Sequence, residues 1–357
     1  MRVELDRTDL VEVLQKAKSA TEKKSALPVL NNFLILQKGG ELIVRATDLE
    51  SYLEIKVGEV EEDFECLVNA DKLLGVVKGV SSTKVSLEVK EQRLLISGGK
   101  SKFKLNVADP EDFPDFPKAE LSNELGALDL LRACEKVEHA ISKEDSRYAL
   151  QGLYIHGKAG TTRFVGSDGH RLALYQIEPE VGLSIILPRK SLRALSTLLK
   201  GETGSVQIGS DESFIHLQGQ EWKLSCRLLE GDYPDYDSVI PKSFNYKILL
   251  DRQELLECIR RLSVIAESSS FPIKLSFSQS SLRLEISDPE FGEGSDEMEL
   301  SQGSESIEIG FNGKYLIDAL GEFSAQMVAF NLLDPDSPVV ISSDEEPFKC
   351  VVMPMRL

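Results

Sequence analysis

The chain has 357 residues, of which 41% are hydrophobic, 28% are charged and 7% are aromatic. This composition is typical of folded domains, and no stretch approaches the roughly 20 apolar residues of a bilayer-spanning helix, so we expect a cytoplasmic protein with no membrane association. The formal net charge of -18 argues against nucleic-acid binding by the surface as a whole, because the mean field repels phosphate. The five cysteines are scattered and odd in number, which predicts buried reduced thiols.

One pattern of elements occurs three times along the chain, at intervals of about 120 residues. Each copy begins with an amphipathic helix, in segments that start at Asp6, Leu125 and Asp251. A second helix follows in each copy, in segments that start at Val68, Leu187 and Phe311. Elsewhere apolar and polar residues alternate, which predicts roughly eight short strands in each copy.

The predicted strands follow one another as hairpins, which indicates an α+β fold with mainly antiparallel sheets. Proline-containing loops follow the first two copies, as DFPDFP at Asp112 and DYPDYDSVIP at Asp232, and proline disfavours helix there. We therefore expect three repeated domains, at 1–118, 119–243 and 244–357. About 120 residues is a normal size for a domain with its own core.

Cations are concentrated on the second predicted helix of the middle copy. From residue 183 to residue 200 the chain has no acidic residue, and Arg189, Arg193, Ser196 and Lys200 fall on one helix face. An ordinary solvated surface would explain one such helix, but lysines also enrich the helices of the first copy. The recurrence favours a positive inner surface and a negative outer surface.

Motifs that would carry catalysis are incomplete. SGGKS at Ser97 lacks the leading glycine of a phosphate-binding loop, because Leu94 stands at that position. Residues 168–171 bring an acid, a base and a cation together beside Ser167, but nothing in the sequence supplies an oxyanion hole. The four histidines have no metal-ligand spacing. We expect neither catalysis nor a cofactor or metal, although an enzyme built on residues 168–171 and a scaffold indifferent to DNA stay open as alternatives.

The C-terminal sequence VVMPMRL is an apolar tail with two of the five methionines, and methionine adapts to varied partners. Together with ALPVLNNFLI at Ala26, RATDLE at Arg45, SDGHRLAL at Ser167, DYPDY at Asp232 and IGFNGKYL at Ile309, it resembles the bacterial DNA polymerase III beta subunit family, the sliding clamps. The resemblance covers essentially the full length. It implies that each chain forms half of a six-domain ring, a head-to-tail homodimer that encircles double-stranded DNA without reading its sequence.

The resemblance also implies a pocket for short peptides of partner proteins, namely the replicative polymerase catalytic subunit, the clamp loader, other polymerases and repair proteins. The expected wall residues are Leu150, Ser167, Gly169, His170, Arg171, Leu172, Pro234, Val239, Asn312, Tyr315, Pro338, Val351, Met353, Pro354, Met355, Arg356 and Leu357. The expected dimer interface joins Phe103 and Leu105 to Val264 and Ile265. The residues expected to face DNA are Lys24, Arg147, Arg189, Arg193 and Lys200.

The number of predicted helices supports two chains in a ring. Six helices, each about 10 Å wide, would enclose a hole of roughly 9 Å, whereas twelve would enclose roughly 28 Å. Only the larger hole accepts a duplex roughly 20 Å across. Retention on DNA would then be topological, and the attraction to phosphate would be weak and salt-dependent.

Overall fold

The computed structural model describes residues 2–22, 26–144, 147–268, 270–300 and 306–356. Within these ranges it has six α-helices: α1 (Arg7–Ala17), α2 (Ala70–Gly79), α3 (Ala127–Glu138), α4 (Arg189–Leu199), α5 (Arg252–Leu262) and α6 (Gly313–Glu322). Short 3₁₀ helices lie at Lys18–Ala20, Pro28–Asn31, Pro110–Asp112, Tyr148–Gln151, Tyr236–Val239 and Ser263–Ile265. All six α-helices lie inside the predicted segments, which confirms two helices in each repeat.

Side-chain caps explain where four of these helices begin. Asp6, Asn69, Asp251 and Asn312 accept hydrogen bonds from backbone N–H groups in the first turns of α1, α2, α5 and α6. Such caps satisfy donors that have no partner within the helix. The apolar face of each helix then determines how it packs, as in α1, where Leu10, Leu14 and Ala17 are buried.

The strands within the described ranges fall into three groups of eight. The first repeat contains β1 (Arg2–Asp6), β2 (Asn32–Lys38), β3 (Glu41–Thr47), β4 (Ser51–Glu59), β5 (Glu65–Asn69), β6 (Lys84–Lys90), β7 (Arg93–Gly98) and β8 (Ser101–Ala108). The second contains β9 (Asn123–Gly126), β10 (Gly152–Lys158), β11 (Thr161–Ser167), β12 (Arg171–Ile177), β13 (Ser184–Pro188), β14 (Ser205–Ser210), β15 (Phe214–Gln218) and β16 (Trp222–Arg227). The third contains β17 (Tyr246–Asp251), β18 (Pro272–Phe277), β19 (Ser281–Asp288), β20 (Gly292–Glu299), β21 (Ile307–Asn312), β22 (Met327–Leu332), β23 (Val339–Ser342) and β24 (Phe348–Val352).

The first of two compact units contains Met1–Leu131 and Lys190–Leu228. Its sheet has twelve antiparallel strands in the order β1-β6-β7-β8-β5-β2-β3-β4-β16-β15-β14-β9. The first repeat is joined to the second within this sheet, where Ser51 pairs with Cys226 and Ile55 with Trp222. Helix α1 packs against α2, β3 and β4 and covers the core.

The second compact unit contains Arg132–Arg189 and Leu229–Leu357. It has an eight-stranded sheet, in the order β13-β10-β11-β12-β24-β23-β22-β17, and a four-stranded sheet, in the order β20-β19-β18-β21. The second and third repeats are joined between β12 and β24, where Arg171 pairs with Val352 and Tyr175 with Phe348. The predicted α+β class with mainly antiparallel sheets is confirmed.

All five cysteines are buried and free. Burial raises the pKa of Cys66 to about 12, so this thiol stays protonated and unreactive. No helix in the described ranges is long and apolar enough to span a membrane. Among the same residues, no cluster of three or more His, Cys, Asp or Glu side chains is arranged to hold a metal ion.

Candidate functional site

The turn between β11 and β12 is a compact, internally bonded structure. Asp168 Oδ1 accepts hydrogen bonds from the backbone N–H groups of His170 at 2.9 Å and Arg171 at 3.0 Å. Gly169 has a φ of 85°, and Arg147 donates a hydrogen bond to the carbonyl of Asp168. A Cβ at Gly169 would lie 2.0 Å from Nη1 of Arg147, so both the backbone and the neighbouring side chain require glycine.

Arg171 is fixed by two carboxylates and an aromatic ring. Its Nε donates to Asp168 Oδ2 at 3.0 Å, and its Nη1 donates to Asp318 Oδ2 at 2.7 Å. Its guanidinium carbon lies 4.4 Å from the centroid of the Tyr315 ring. Burial would raise the pKa of Asp318, but hydrogen bonds from Lys314 and Arg171 outweigh it and lower the pKa. Arg171 therefore brings a rigid, neutralised side chain to the turn.

The segment at residues 233–239 packs on β10 and β11 through its tyrosines. The ring of Tyr154 lies between His156, at 4.6 Å, and Tyr233, at 4.7 Å. The hydroxyl of Tyr236 contacts His156 Nε2 at 2.8 Å and accepts a hydrogen bond from Arg163 at 3.1 Å. Stacking and hydrogen bonds together hold this segment beside the turn at residues 167–171.

A pocket of about 120 Å³ opens between the turn, the segment at residues 233–239 and the end of β24. Its lining residues are Leu150, Ser167, Gly169, Arg171, Leu172, Tyr233, Pro234, Asp235, Tyr236, Val239, Val351 and Met353. The wall is mostly apolar with a few fixed polar groups, which is the usual composition of a site for a peptide side chain.

Nine of the seventeen residues expected in the pocket line it: Leu150, Ser167, Gly169, Arg171, Leu172, Pro234, Val239, Val351 and Met353. Sequence reasoning missed Tyr233, Asp235 and Tyr236. The signal was present, because all three belong to the DYPDY motif from which only Pro234 was chosen. Prolines fix the path of such a segment, so its aromatic neighbours were candidates for the same wall.

The other described residues that were expected in the wall do not line this pocket. The carbonyl of His170 accepts the N–H of Met353 at 2.9 Å, and Tyr315 lies beneath Arg171. Asn312 is buried and caps α6, while Pro338 and Pro354 lie just before β23 and just after β24. Leu357 lies outside the described residues.

Met355 and Arg356 lie on a different surface from Met353. The N–H of Met355 donates to the carbonyl of Gly310 at 2.8 Å, so the tail runs along β21. A groove of about 600 Å³ lies there, lined by Pro272, Lys274, Arg283, Glu285, Ile286, Ser287, Glu293, Gly294, Ser295, Met355 and Arg356. Met353 lines the pocket beside the turn and Met355 lines this groove, so the two methionines contact different surfaces.

The residues expected at the dimer interface lie on exposed strands and turns. Phe103 is 38% exposed and shares β8 with Leu105, while Val264 is 83% exposed and precedes Ile265 in a 3₁₀ helix. These apolar side chains would be costly to leave in water.

The residues expected to face DNA are dispersed. Arg193 is exposed on α4 and Lys200 is exposed just after it, whereas Arg189 forms an ion pair with Glu138 at 3.7 Å. Arg147 lies at the turn of the pocket, and Lys24 is outside the described residues. Ser196 was expected on the exposed face, but its hydroxyl is buried and donates to the carbonyl of Leu192 at 3.0 Å, which is a common arrangement for helical serine.

The side chains beside the turn are arranged for structure and not for nucleophilic attack. The Ser167 hydroxyl donates to the carbonyl of Arg171 at 2.8 Å, and Asp168 is engaged by backbone N–H groups. A nucleophile needs a base at its hydroxyl, and here a carbonyl oxygen occupies that position.

A serine, histidine and aspartate do meet elsewhere, in the first unit. His216 Nδ1 lies 2.8 Å from the Ser225 hydroxyl, and Nε2 lies 3.1 Å from Asp211. However, His216 and Ser225 are cross-strand neighbours inside the sheet, and both are buried. A substrate has no access to them, so this network stabilises the hairpin between β15 and β16.

Three like α+β repeats, two sheet junctions and a pocket that fits a peptide side chain define a clamp-type binding protein. Models of the DNA polymerase III beta subunit match the chain three times: its N-terminal domain at residues 1–117, its central domain at 124–235 and its C-terminal domain at 237–356. The chain belongs to the DNA polymerase III beta subunit family. That family provides a processivity subunit and no catalytic activity.

Individual relatives agree with this assignment over the full length. The beta sliding clamps of Pseudomonas aeruginosa and Pseudomonas putida are 31% and 32% identical to the chain, with 100% of both sequences covered in each case. The crystal structure of the P. aeruginosa sliding clamp bound to griselimycin has a TM-score of 0.95 at 31% identity, with complete coverage of both chains. The Caulobacter crescentus clamp has a TM-score of 0.90 at 29% identity, also with complete coverage.

Proposed function

We propose that this protein is a DNA sliding clamp. Two copies close head to tail into a ring around double-stranded DNA in the cytoplasm. The ring tethers the replicative polymerase catalytic subunit, the clamp loader, other polymerases and repair proteins through the pocket. In this role the three domains span 1–118, 119–243 and 244–357.

The observation that carries the proposal is the pairing of strands between repeats. Strand β4 pairs with β16, and β12 pairs with β24. By position in the repeat, β20 is equivalent to β4 and β12, and β8 is equivalent to β16 and β24. Within the described residues β20 pairs only with β19, and residues 101–106 of β8 pair only with β7. A second copy would supply the missing neighbour to each strand, and two such contacts close a symmetric dimer.

The charges of these two edge strands support the same pairing. β8 exposes Lys102 and Lys104, while β20 has the sequence GEGSDEME with four acidic residues. Opposite charges on facing strands stabilise pairing and select the partner. Phe103 and Val264 would be removed from water at this interface.

Contacts with DNA are proposed to be few and diffuse. Lys190 and Arg193 of α4 and Lys200 just after it are exposed cations, and with the net charge of -18 they supply only local attraction to phosphate. A clamp that slides must not bind one sequence tightly. Lys24, Arg147 and Arg189 are proposed as weaker contributors.

The pocket is proposed to hold a leucine or phenylalanine side chain of a partner peptide, with backbone contacts supplied by its polar rim. Leu172, Val351 and Met353 form its apolar surface. His170, Tyr315, Met355 and Leu357 are proposed to contact the rest of the peptide. A relative that is described as bound to griselimycin supports a ligand site in this family.

The test is retention on a nicked circular DNA after loading by a clamp loader, measured before and after the circle is made linear. A sliding ring is lost when the circle is cut. A Lys102→Glu, Lys104→Glu variant should sediment as a monomer and be lost even from the circle, whereas Lys90→Glu on the exposed end of β6 should behave as the unaltered protein. Equal retention on circular and linear DNA would indicate surface binding and exclude the ring.

A further inference from the structure

The hydroxyl of Tyr236 is shared between Arg163, whose role as a donor is chemically fixed, and His156. Arg163 Nη1 lies 3.1 Å from the hydroxyl oxygen, and arginine can only donate. The hydroxyl hydrogen is therefore free to point at His156 Nε2, 2.8 Å away. Nε2 accepts this hydrogen, so the ring carries its proton on Nδ1, which faces the carbonyl of Gly157 at 3.3 Å.

His156 does not line the pocket, but it contacts one wall residue directly and a second through Tyr154. One point is the hydrogen bond to Tyr236, which lines the pocket. The other is the stack in which Tyr154 separates His156 from Tyr233, a second lining residue, with interplanar angles of 18° and 8°. The position of both pocket tyrosines thus depends on one buried imidazole.

We propose that His156 is a positioning residue of the peptide pocket: as a neutral hydrogen-bond acceptor it holds Tyr236 and the segment at residues 233–239 in the form that binds peptide. Acidification then weakens binding, because protonated His156 can no longer accept the hydroxyl hydrogen. This inference rests on the proposed function of the pocket.

The groups around His156 keep it neutral at ordinary pH. Its own strand presents Lys158, β11 presents Arg163, and the segment at residues 233–239 presents Asp237, which pairs with both cations. Strand β13 faces it with the uncharged Ser184. Burial lowers the pKa of His156 below 6.5, and Arg163 and Lys158 lower it further, while the Gly157 carbonyl and Asp237 oppose them.

Protonation of His156 would place a second N–H donor, beside that of Arg163, at the oxygen of Tyr236. Arg163 and His156 would both donate to it, and the hydroxyl hydrogen would have to turn away without the acceptor it has now. A buried polar hydrogen without an acceptor is unfavourable, so the segment would move or the proton would be excluded.

The experiment measures the affinity of a fluorescein-labelled synthetic peptide that ends in adjacent leucine and phenylalanine residues. The unaltered protein is compared with His156→Phe, which keeps a ring for stacking, with Tyr236→Phe, which removes the hydroxyl, and with the double variant. Each is titrated from about pH 7.5 to about pH 5, across the range of histidine. Unfolding midpoints are recorded at each pH to confirm that every variant is folded.

We expect each single variant to bind about fivefold more weakly at neutral pH, and the double variant to be no weaker than either. The unaltered protein should lose a similar factor as the pH falls, and His156→Phe should lack that part of the response. His170 is present and exposed in both proteins, so it does not contribute to the difference.

Identical pH responses of the unaltered protein and His156→Phe, or losses that add in the double variant, would overturn the role of His156 while leaving the pocket in place. If His156→Phe does not fold, Tyr236→Phe decides, because the proposal requires it to bind weakly at neutral pH and to be insensitive to acid. Absence of peptide binding by the unaltered protein at neutral pH would overturn the pocket, and the positioning role with it.

Discussion

The turns at residues 47–52 and 167–172 occupy the same position in the first and second repeats and have the same hydrogen bonds. Asp48 Oδ1 accepts hydrogen bonds from the backbone N–H groups of Glu50 at 3.1 Å and Ser51 at 2.6 Å. Asp168 Oδ1 likewise accepts from the N–H groups two and three residues after it. Each turn also accepts a backbone hydrogen bond from the next repeat. The N–H of Arg227 donates to the carbonyl of Glu50, and the N–H of Met353 donates to the carbonyl of His170.

The surroundings of these two turns differ. Asp48 is 8% exposed and forms an ion pair with Lys190 of α4, and Leu49 has a φ of 71° where the second turn has Gly169. In the second turn Gly169 and His170 are exposed, and the pocket lies beside them. The same backbone therefore forms a binding surface only where neighbouring side chains leave it open.

At the ends of the two sheet junctions that lie away from these turns, the difference is reversed: the junction of the second and third repeats is closed, and that of the first and second is open. Lys136 of α3 and Glu346 form an ion pair at 2.5 Å, and the side chains of both are 12% exposed. At the equivalent positions, Lys16 pairs with Glu12 on its own helix, and Lys16 and Gln220 line an open cleft of about 520 Å³. One junction is closed by a buried charge pair, and the other is not.

The largest expected effect is on this ion pair. Lys136→Met should leave Glu346 buried without its cation and lower the free energy of unfolding by about 3 kcal/mol. The matched change Lys16→Met should cost less than about 1 kcal/mol, because exposed pairs contribute little. Urea unfolding measures both, and equal losses would show that the two junctions do not differ in this way.

Peptide binding should distinguish the two turns nearly as strongly. Met353→Ala removes an apolar wall of the pocket and should weaken binding of the labelled peptide by about tenfold to thirtyfold, or roughly 1.5–2 kcal/mol. Arg227→Ala is the matched control at the first junction and should leave affinity unchanged. Met355→Ala should have a smaller effect than Met353→Ala, and the reverse order would place the anchor of the peptide in the groove that Met355 lines.

Exchanging the turn residues tests the backbone comparison. Gly169→Ala places a Cβ against Arg147 at positive φ and should destabilise the protein by about 1–2 kcal/mol. Leu49→Gly relieves the same strain in the first turn but increases the flexibility of the unfolded chain, so its net effect should be below about 1 kcal/mol. Thermal unfolding of the two variants would contradict the comparison if Leu49→Gly were the more damaging.

The smallest expected effect is on the pH dependence of stability. Burial would raise the pKa of Glu346, but hydrogen bonds from Lys136 and from the backbone of Ala325 and Ser324 outweigh it and hold the pKa below 4.5. A carboxyl with a lowered pKa stabilises the fold above 4.5, and that contribution is lost as the pH falls through the lowered value. The advantage of the unaltered protein over Glu346→Gln should therefore shrink below about pH 4.5. An advantage that grew on acidification would mean that the carboxyl is protonated in the folded state.

The elements were predictable from the sequence because they depend on local patterns. Leu10 and Leu14 recur at helical spacing and are buried in α1, and the caps Asp6 and Asp251 stand at the first residues of the segments from which helices were expected. The fold class could then be predicted because the same order of helix and strand patterns occurs in three copies, so each predicted element has two counterparts in the chain.

The pocket was only partly predictable. The motifs around Ser167 and Pro234 were visible, but the stack of Tyr233 on Tyr154 joins a loop to a strand that is far away in the chain. Arg147 was expected to face DNA, yet its guanidinium bonds to the carbonyl of Asp168. A long side chain reaches several surfaces, and its sequence position does not select among them.

By itself, the sequence determined three α+β repeats with their helices and strands, because periodicity and capping act within a few residues. Tertiary structure alone decided which turn is open, that Met353 and Met355 line different surfaces, and that Lys136 meets Glu346. Each of these depends on contacts between residues distant in the chain, and such contacts are made only when strands from different repeats pair.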